Sequence, residues 1–136
     1  MGAPPTRDRT DRYVLTLDLK DDPAGIDAYK QHHAAVWPEV VRSLHEAGVR
    51  GLEIHALGQR LVMILELDEG LDLRRVFDRH HASGPRVAEW ERLMASFQQP
   101  APGARPDEWW APMELVCRLF GRSTDWPGES RSGRSC

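Results

Sequence analysis

Cysteine is nearly missing from this chain, and the other absences narrow the field further. Only Cys117 and Cys136 occur among 136 residues, the first in a strand-like run and the second at the last position. That makes neither a disulfide framework nor a metal motif, so reduced thiols are expected. No apolar run approaches the roughly 18 residues of a membrane helix. Residues 1–12 are rich in Pro, Arg and Asp with no apolar stretch of a secretory signal. The expectation is a soluble cytoplasmic protein with no membrane partner. Positive charge is not in excess either: 18 Lys and Arg stand against 21 Asp and Glu, for a formal net charge of -3. The basic residues are scattered among acids and offer no stripe to a phosphate backbone, so nucleic acid is not an expected partner. A Gly-rich phosphate loop, a nucleophile-elbow serine and a Cys–His pair at recognisable spacing are all missing. Proton-transfer chemistry remains, with no cofactor and no metal expected.

What is present is one domain's worth of alternating periods. Tyr13, Leu15, Leu17 and Leu19 alternate with Val14, Thr16 and Asp18, the pattern of a half-buried strand. Asp22 and Pro23 then offer an N-cap and a first helical residue, and Gly48 offers a C-terminal stop. Residues 49–57 and 60–68 are strand-like and joined through Gly58-Gln59, which predicts a hairpin. Residues 71–77 and 87–97 read as helical pieces on either side of Gly84-Pro85. A Pro-rich stretch, 100–112, leads to a final predicted strand at 113–120. The order βαββαβ predicts an α+β, ferredoxin-like antiparallel sheet with its helices on one face. The uncovered sheet face of so small a domain points to a homodimer. Residues 1–11 and 121–136, poor in anything to bury, are expected to be flexible tails around a domain spanning 12–120.

The stretch 23–48 carries the chemistry. Ile26, Tyr29, His33, Trp37, Val40 and Leu44 recur at three- and four-residue spacing, so a helix lines them on one face with the imidazole aimed inward. A histidine titrates near neutrality and both gives and takes a proton there. Pro38 either bends this helix just after His33 or restarts it with Trp37 as the boundary residue. Aromatic walls beside one titrating group suit a carbohydrate, whose C–H patches stack on rings while its hydroxyls need polar partners.

His32 is turned about 100° round the helix from His33 and is expected to be solvated. His80-His81 are placed in the loop before Gly84, and an adjacent pair lacks the i, i+4 spacing by which one helix supplies two metal ligands. Glu53 and His55 share one side of their strand, Leu52 and Ile54 the other. Trp109-Trp110 in the Pro-rich crossover read as a lid or a packing clamp.

Tyr29 followed by His33-Ala34-Ala35-Val36-Trp37-Pro38-Glu39 resembles the His-x-x-x-Trp-Pro-Glu signature of the L-rhamnose mutarotase family. The runs Leu17-Asp18-Leu19-Lys20-Asp21-Asp22-Pro23, Trp90 with Phe97-Gln98-Gln99-Pro100, Trp109-Trp110 and Pro112-Met113-Glu114 are similar to its branch that includes L-fucose mutarotases. The resemblance spans residues 12–120. It implies a dimeric ferredoxin-like α/β barrel that interconverts the anomers of a 6-deoxy-L-hexose without a cofactor. It also implies that His33 is the acid/base residue, Tyr29 a sugar contact and Trp90 one of two paired tryptophans, the other being replaced by Glu89. A second substrate tyrosine of rhamnose-type members falls on Leu52, which cannot hydrogen-bond a sugar. The resulting site expectation is His33 as proton shuttle, with Tyr29, Glu53, Trp90 and Trp110 holding a monosaccharide. Glu53 rests on the polar side of its strand facing the cavity, whereas the resemblance puts position 52 there. Two other classes fit the same architecture. One is a dimeric ferredoxin-like monooxygenase or haem-handling protein, with His33 on iron or on an aromatic substrate; the other is a non-catalytic sugar-binding module.

Overall fold

A computed structural model describes residues 9–120; the segments 1–8 and 121–136, and with them most of both expected tails, lie outside the described residues. The elements are β1 (Thr10–Leu19), α1 (Pro23–His33), α2 (Pro38–Ala47), β2 (Val49–Leu57), β3 (Arg60–Asp68), α3 (Leu73–His81), α4 (Pro85–Phe97), β4 (Gln98–Gln99) and β5 (Ala111–Pro112). All pairings are antiparallel, in the order β2-β3-β1-β4, with β5 also on β1. This is the expected ferredoxin-like α+β sheet, its two helical positions each split in two. Among the described residues no helix is long and apolar enough to cross a membrane.

Period-2 patterning decides which face is covered. Leu15, Leu17 and Leu19 of β1 and Leu61, Met63, Leu65 and Leu67 of β3 are buried beneath the helices. The intervening residues Val14, Thr16, Val62, Ile64 and Glu66 form the opposite, partly exposed face. The core divides into two clusters, one around Leu15, Met63 and Val76, the other around Tyr29, Val87, Trp90 and Met94. Leu44, Ile54 and Trp110 pack against both. Between the clusters the two halves of the molecule do not close fully.

The break after His33 is a restart, not a bend. Trp37 takes an extended N-cap conformation and Pro38 opens a new helix, since proline has no N–H to continue the old one and disfavours helical backbone before it. Asp22 and Pro23 occupy the expected start of α1, although the Asp22 carboxylate makes no capping bond. Gly48 ends α2 with φ 109°, where a Cβ would run into the Leu71 side chain. Gly48→Ala is therefore expected to cost at least about 1–2 kcal/mol from left-handed backbone alone. A lower midpoint of urea unfolding with an unchanged m-value checks this.

The final predicted strand is corrected most. The place beside β1 is filled by two short pieces, Gln98 and Gln99 opposite Leu19 and Asp18, then Ala111 and Pro112 opposite Thr16 and Leu15. Prolines at 100, 102, 106 and 112 withhold ladder donors, and the Met113 N–H continues the pairing, onto the Val14 carbonyl at 2.7 Å. Residues 113–120 leave the sheet, with Leu115, Val116, Leu119 and Phe120 exposed. Cys117 is half-buried there, not a core strand residue, and is disulfide-bonded instead of reduced. β1 also begins at Thr10, so the sheet takes in two residues assigned to the N-terminal tail.

Candidate active site

The gap between the two core clusters is a cavity of about 490 Å³, lined by α1–α4, by Leu52, Ile54 and Met63 of the sheet, and by the crossover at 107–110. Pockets that enclose small organic molecules run from about 300 to 1,000 Å³, so a monosaccharide fits. Most of its exposed wall is apolar or aromatic, and polar and charged side chains, among them His33, His80, His81, Glu91 and Gln98, are set into it.

His33 and Tyr29, one helical turn apart on α1, both line this cavity, with ring centroids 4.4 Å apart. His33 Nδ1 lies 2.9 Å from the Tyr29 carbonyl. A carbonyl only accepts, so Nδ1 carries the hydrogen and the neutral ring keeps its lone pair on Nε2. Burial pushes the His33 pKa below its usual 6.5, partly opposed by that backbone bond and by the Glu91 charge. The imidazole is thus a neutral base of fixed tautomer. Tyr29 is 3% exposed, and burial raises its pKa to about 12 against a lowering by Gln98, so its phenol stays protonated at neutral pH.

Gln98 joins the helix to the crossover. Its amide donates to the Tyr29 oxygen at 3.1 Å, and its carbonyl oxygen accepts from Trp109 Nε1 at 2.8 Å. The Tyr29 oxygen is occupied as an acceptor, which leaves its own O–H to be given elsewhere. Trp109 and Trp110 both line the cavity, so the crossover forms part of its wall.

Trp90 of α4 is buried and meets the His33 ring edge-on, centroids 5.4 Å apart. Trp37, by contrast, is not a cavity wall. Its ring packs on Trp90 at 5.2 Å and carries the Arg86 guanidinium 3.7 Å from its centroid. Glu39 lies 3.9 Å from the same Arg86. The Trp37-Pro38-Glu39 run thus pins the α1–α2 break against α4 and leaves the indole wall to Trp90, Trp109 and Trp110.

Glu53 is the expectation the structure does not bring in. Leu52 and Ile54 face the cavity, opposite Leu65 and Met63 in register, while the exposed Glu53 carboxylate accepts from His55 Nε2 at 3.0 Å on the other side of the sheet. Alternation fixes which residues share a side; burial of the paired β3 leucines fixes which side is inward. His32 is likewise half-buried against Trp90 and Phe97 instead of solvated. His80 and His81 close the last turn of α3, not a loop.

Those two histidines converge on Glu91, which sequence reasoning missed along with Gln98. His80 Nε2 donates to Glu91 Oε2 at 3.1 Å, and His81 Nε2 pairs with Oε1 at 3.4 Å. His80 Nδ1 sits 2.7 Å from the Ser43 hydroxyl. Burial pushes the Glu91 carboxyl up, but the bonds and charges of the two imidazoles outweigh it and hold it at about 2. Only its position beside Trp90 could have drawn notice, because the contact depends on α3–α4 packing.

Comparison with known proteins gives the chain a lineage. A profile of the L-rhamnose mutarotase family matches residues 12–119. An L-fucose mutarotase of Xanthomonas campestris is 45% identical over 101 residues, covering 73% of this chain and 80% of its own. An L-rhamnose mutarotase structure from Formosa agariphila superposes with a TM-score of 0.56 at 22% identity, over 80% of this chain and 98% of that one. Tetracenomycin F2 cyclase from Streptomyces glaucescens superposes with a TM-score of 0.55 at 18% identity, over 79% and 95% of the two chains. The two superpositions establish the fold, which hosts more than one chemistry. The sequence matches go further and put the chain among the carbohydrate isomerases. It belongs to the L-rhamnose mutarotase family.

Proposed function

We propose that this protein interconverts the α and β anomers of a 6-deoxy-L-hexose, acting on L-fucose ahead of L-rhamnose, through residues 12–120. The observation that carries the reading is the His33 ring: Nδ1–H is committed to the Tyr29 carbonyl, so Nε2 is free to accept a proton inside an aromatic cavity. Nε2 takes the anomeric hydroxyl proton, the C1–O5 bond breaks with its electron pair going to O5, and O5 is protonated. The aldehyde rotates and O5 closes on its other face. Tyr29 donates a hydrogen bond to the sugar, and Trp90 and Trp110 stack on its C–H faces. The preference for L-fucose is supported by the 45% identical relative of that name and by the apolar Leu52 on the cavity wall.

The protein works as a homodimer in this reading. A sheet face bearing Val14, Val62 and Ile64, with Leu115, Val116, Leu119 and Phe120 exposed beyond it, is the surface that a second copy would cover to close a barrel.

Exchange between anomer resonances of L-fucose and L-rhamnose, measured by NMR with and without protein, tests the activity. Catalysed exchange with both sugars, faster for L-fucose, is expected. Exchange no faster than in buffer for either sugar removes the proposal.

A further inference from the structure

Opening a hemiacetal needs a proton delivered to the ring oxygen while another is removed from the anomeric hydroxyl, and His33 as a base supplies only the removal. The delivering group must lie in the same cavity. Tyr29 lines it, but a phenol at about 12 is a weak donor near neutral pH. His80 is 3% exposed with both nitrogens engaged, by Ser43 and Glu91. The Glu91 oxygens are each held by an imidazole. Asp107 pairs with Arg74 at 3.8 Å, and a Glu108 oxygen accepts from the Arg105 N–H at 3.0 Å.

His81 is placed differently. It lines the cavity while its side chain is 54% exposed. Its Nε2 is turned to Glu91, and its ring is stacked with Phe77, centroids 6.3 Å apart and planes within 21°. A carboxylate only accepts, so Nε2 keeps its hydrogen and Nδ1 is the edge left for exchange. Resting on the mutarotase reading, we propose that His81 is the general acid of this site, an imidazolium oriented by Glu91 that gives its Nδ1 proton to the ring oxygen as His33 takes the anomeric proton. The C1–O5 electron pair goes to O5, the new O5–H bond forms from His81, and the C1–OH becomes the aldehyde carbonyl with its proton on His33. The reverse transfers on ring closure restore both rings, and no other reactant is consumed.

The charges around the two histidines suit this division. His81 faces Asp78 and His80 on its own helix and Glu91 on α4, with Asp107 and Glu108 of the crossover lining the same cavity. The Glu91 bond raises its pKa above the usual 6.5 against a lowering by burial, with further help from the Glu91 and Asp78 charges. His33 is shifted the opposite way. Two titratable groups in one cavity, pushed apart by their surroundings, are assigned as acid and base in just this sense. Ser43 and His80 brace Glu91 and are positioning residues.

The test is the pH profile of catalysed L-fucose exchange for the unsubstituted protein, His81→Gln and Glu91→Gln. For the unsubstituted protein a bell is expected, the acid limb set by His33 and the alkaline limb by His81. His81→Gln is expected to lower kcat about 10²-fold with KM nearly unchanged, and to lose the alkaline limb. Glu91→Gln, which removes the counter-charge, is expected to move that limb to lower pH. His81 is half exposed, so its variant keeps its fold, checked by an unchanged melting temperature. A His81→Gln protein with the original rate and alkaline limb overturns this inference and leaves the mutarotase reading standing; an unsubstituted protein without catalysis overturns both.

Discussion

His33→Ala is expected to bring anomer exchange down to the residual left by the cavity alone, a loss of about 10²–10⁴-fold, which is the span a positioned acid/base group supplies. The loss should fall on kcat, because the aromatic wall of Trp90 and Trp110 and the Tyr29 hydroxyl are still there to hold the sugar. The fold should survive, since His33 is only half-buried in the last turn of α1 and its side chain bonds nothing beyond its own helix. Far-UV circular dichroism and a single cooperative melt check that part. The pH dependence of the unsubstituted protein gives the sign. Burial lowers the His33 pKa below 6.5, so the base is already neutral at pH 7, and on the acid side activity falls as the pH drops through that lowered value. A His33→Ala protein with an unchanged rate would move the chemistry to another group.

The same residue shows how much of the site the chain discloses before folding. Tyr29 and His33 are four apart, and any helix makes them neighbours; their geometry is local, and so it was legible. Strands β2 and β3 were legible to the residue because each is half-buried, and a two-residue join sets one register from Leu57 opposite Arg60 back to Gly51 opposite Glu66, where an irregularity shifts it. Periodicity failed where contacts are not local. Met113, Leu115 and Leu119 alternate like a strand, yet alternation says nothing about whether a ladder partner is at hand, and among the described residues the pairing with β1 runs on past Pro112 through the Met113 N–H. Glu53 failed for a related reason: its polarity suggested a place in a site, but the helices cover the side of the sheet where Leu52 meets Leu65. The parts that Gln98 and Glu91 play were not legible. One is made functional by a crossover that brings Trp109 back to it, the other by the packing of α3 on α4, and neither event leaves a spacing in the sequence.

Trp90→Ala is expected to cost more stability than any other single truncation at the site. The indole is 4% exposed, and its neighbours His33, Trp37 and His32 meet it edge-on, with centroids at 5.4, 5.2 and 6.3 Å. Removing a buried Trp side chain costs about 3–5 kcal/mol in lost transfer energy and residual cavity, and edge-on aromatic contacts add about 0.5–1.5 kcal/mol each where they are lost. For a domain of this size the roughly 3–5 kcal/mol alone is a fall in melting temperature of roughly 10–20 °C. Catalysis should fall as well, for a separate reason: without the indole, the His33 ring loses the contact that sets its plane. Trp90→Phe distinguishes the two. It refills most of the volume and should recover most of the melting temperature, but its shorter ring reaches the imidazole less fully, so the exchange rate should recover less than the stability does. Melting curves and exchange rates for both variants, taken well below the lower melting temperature, decide it. If Trp90→Ala melts within a degree or two of the unsubstituted protein, α4 is held by other contacts and the indole serves the sugar alone. If Trp90→Phe recovers rate and stability in equal measure, the wall needs only bulk.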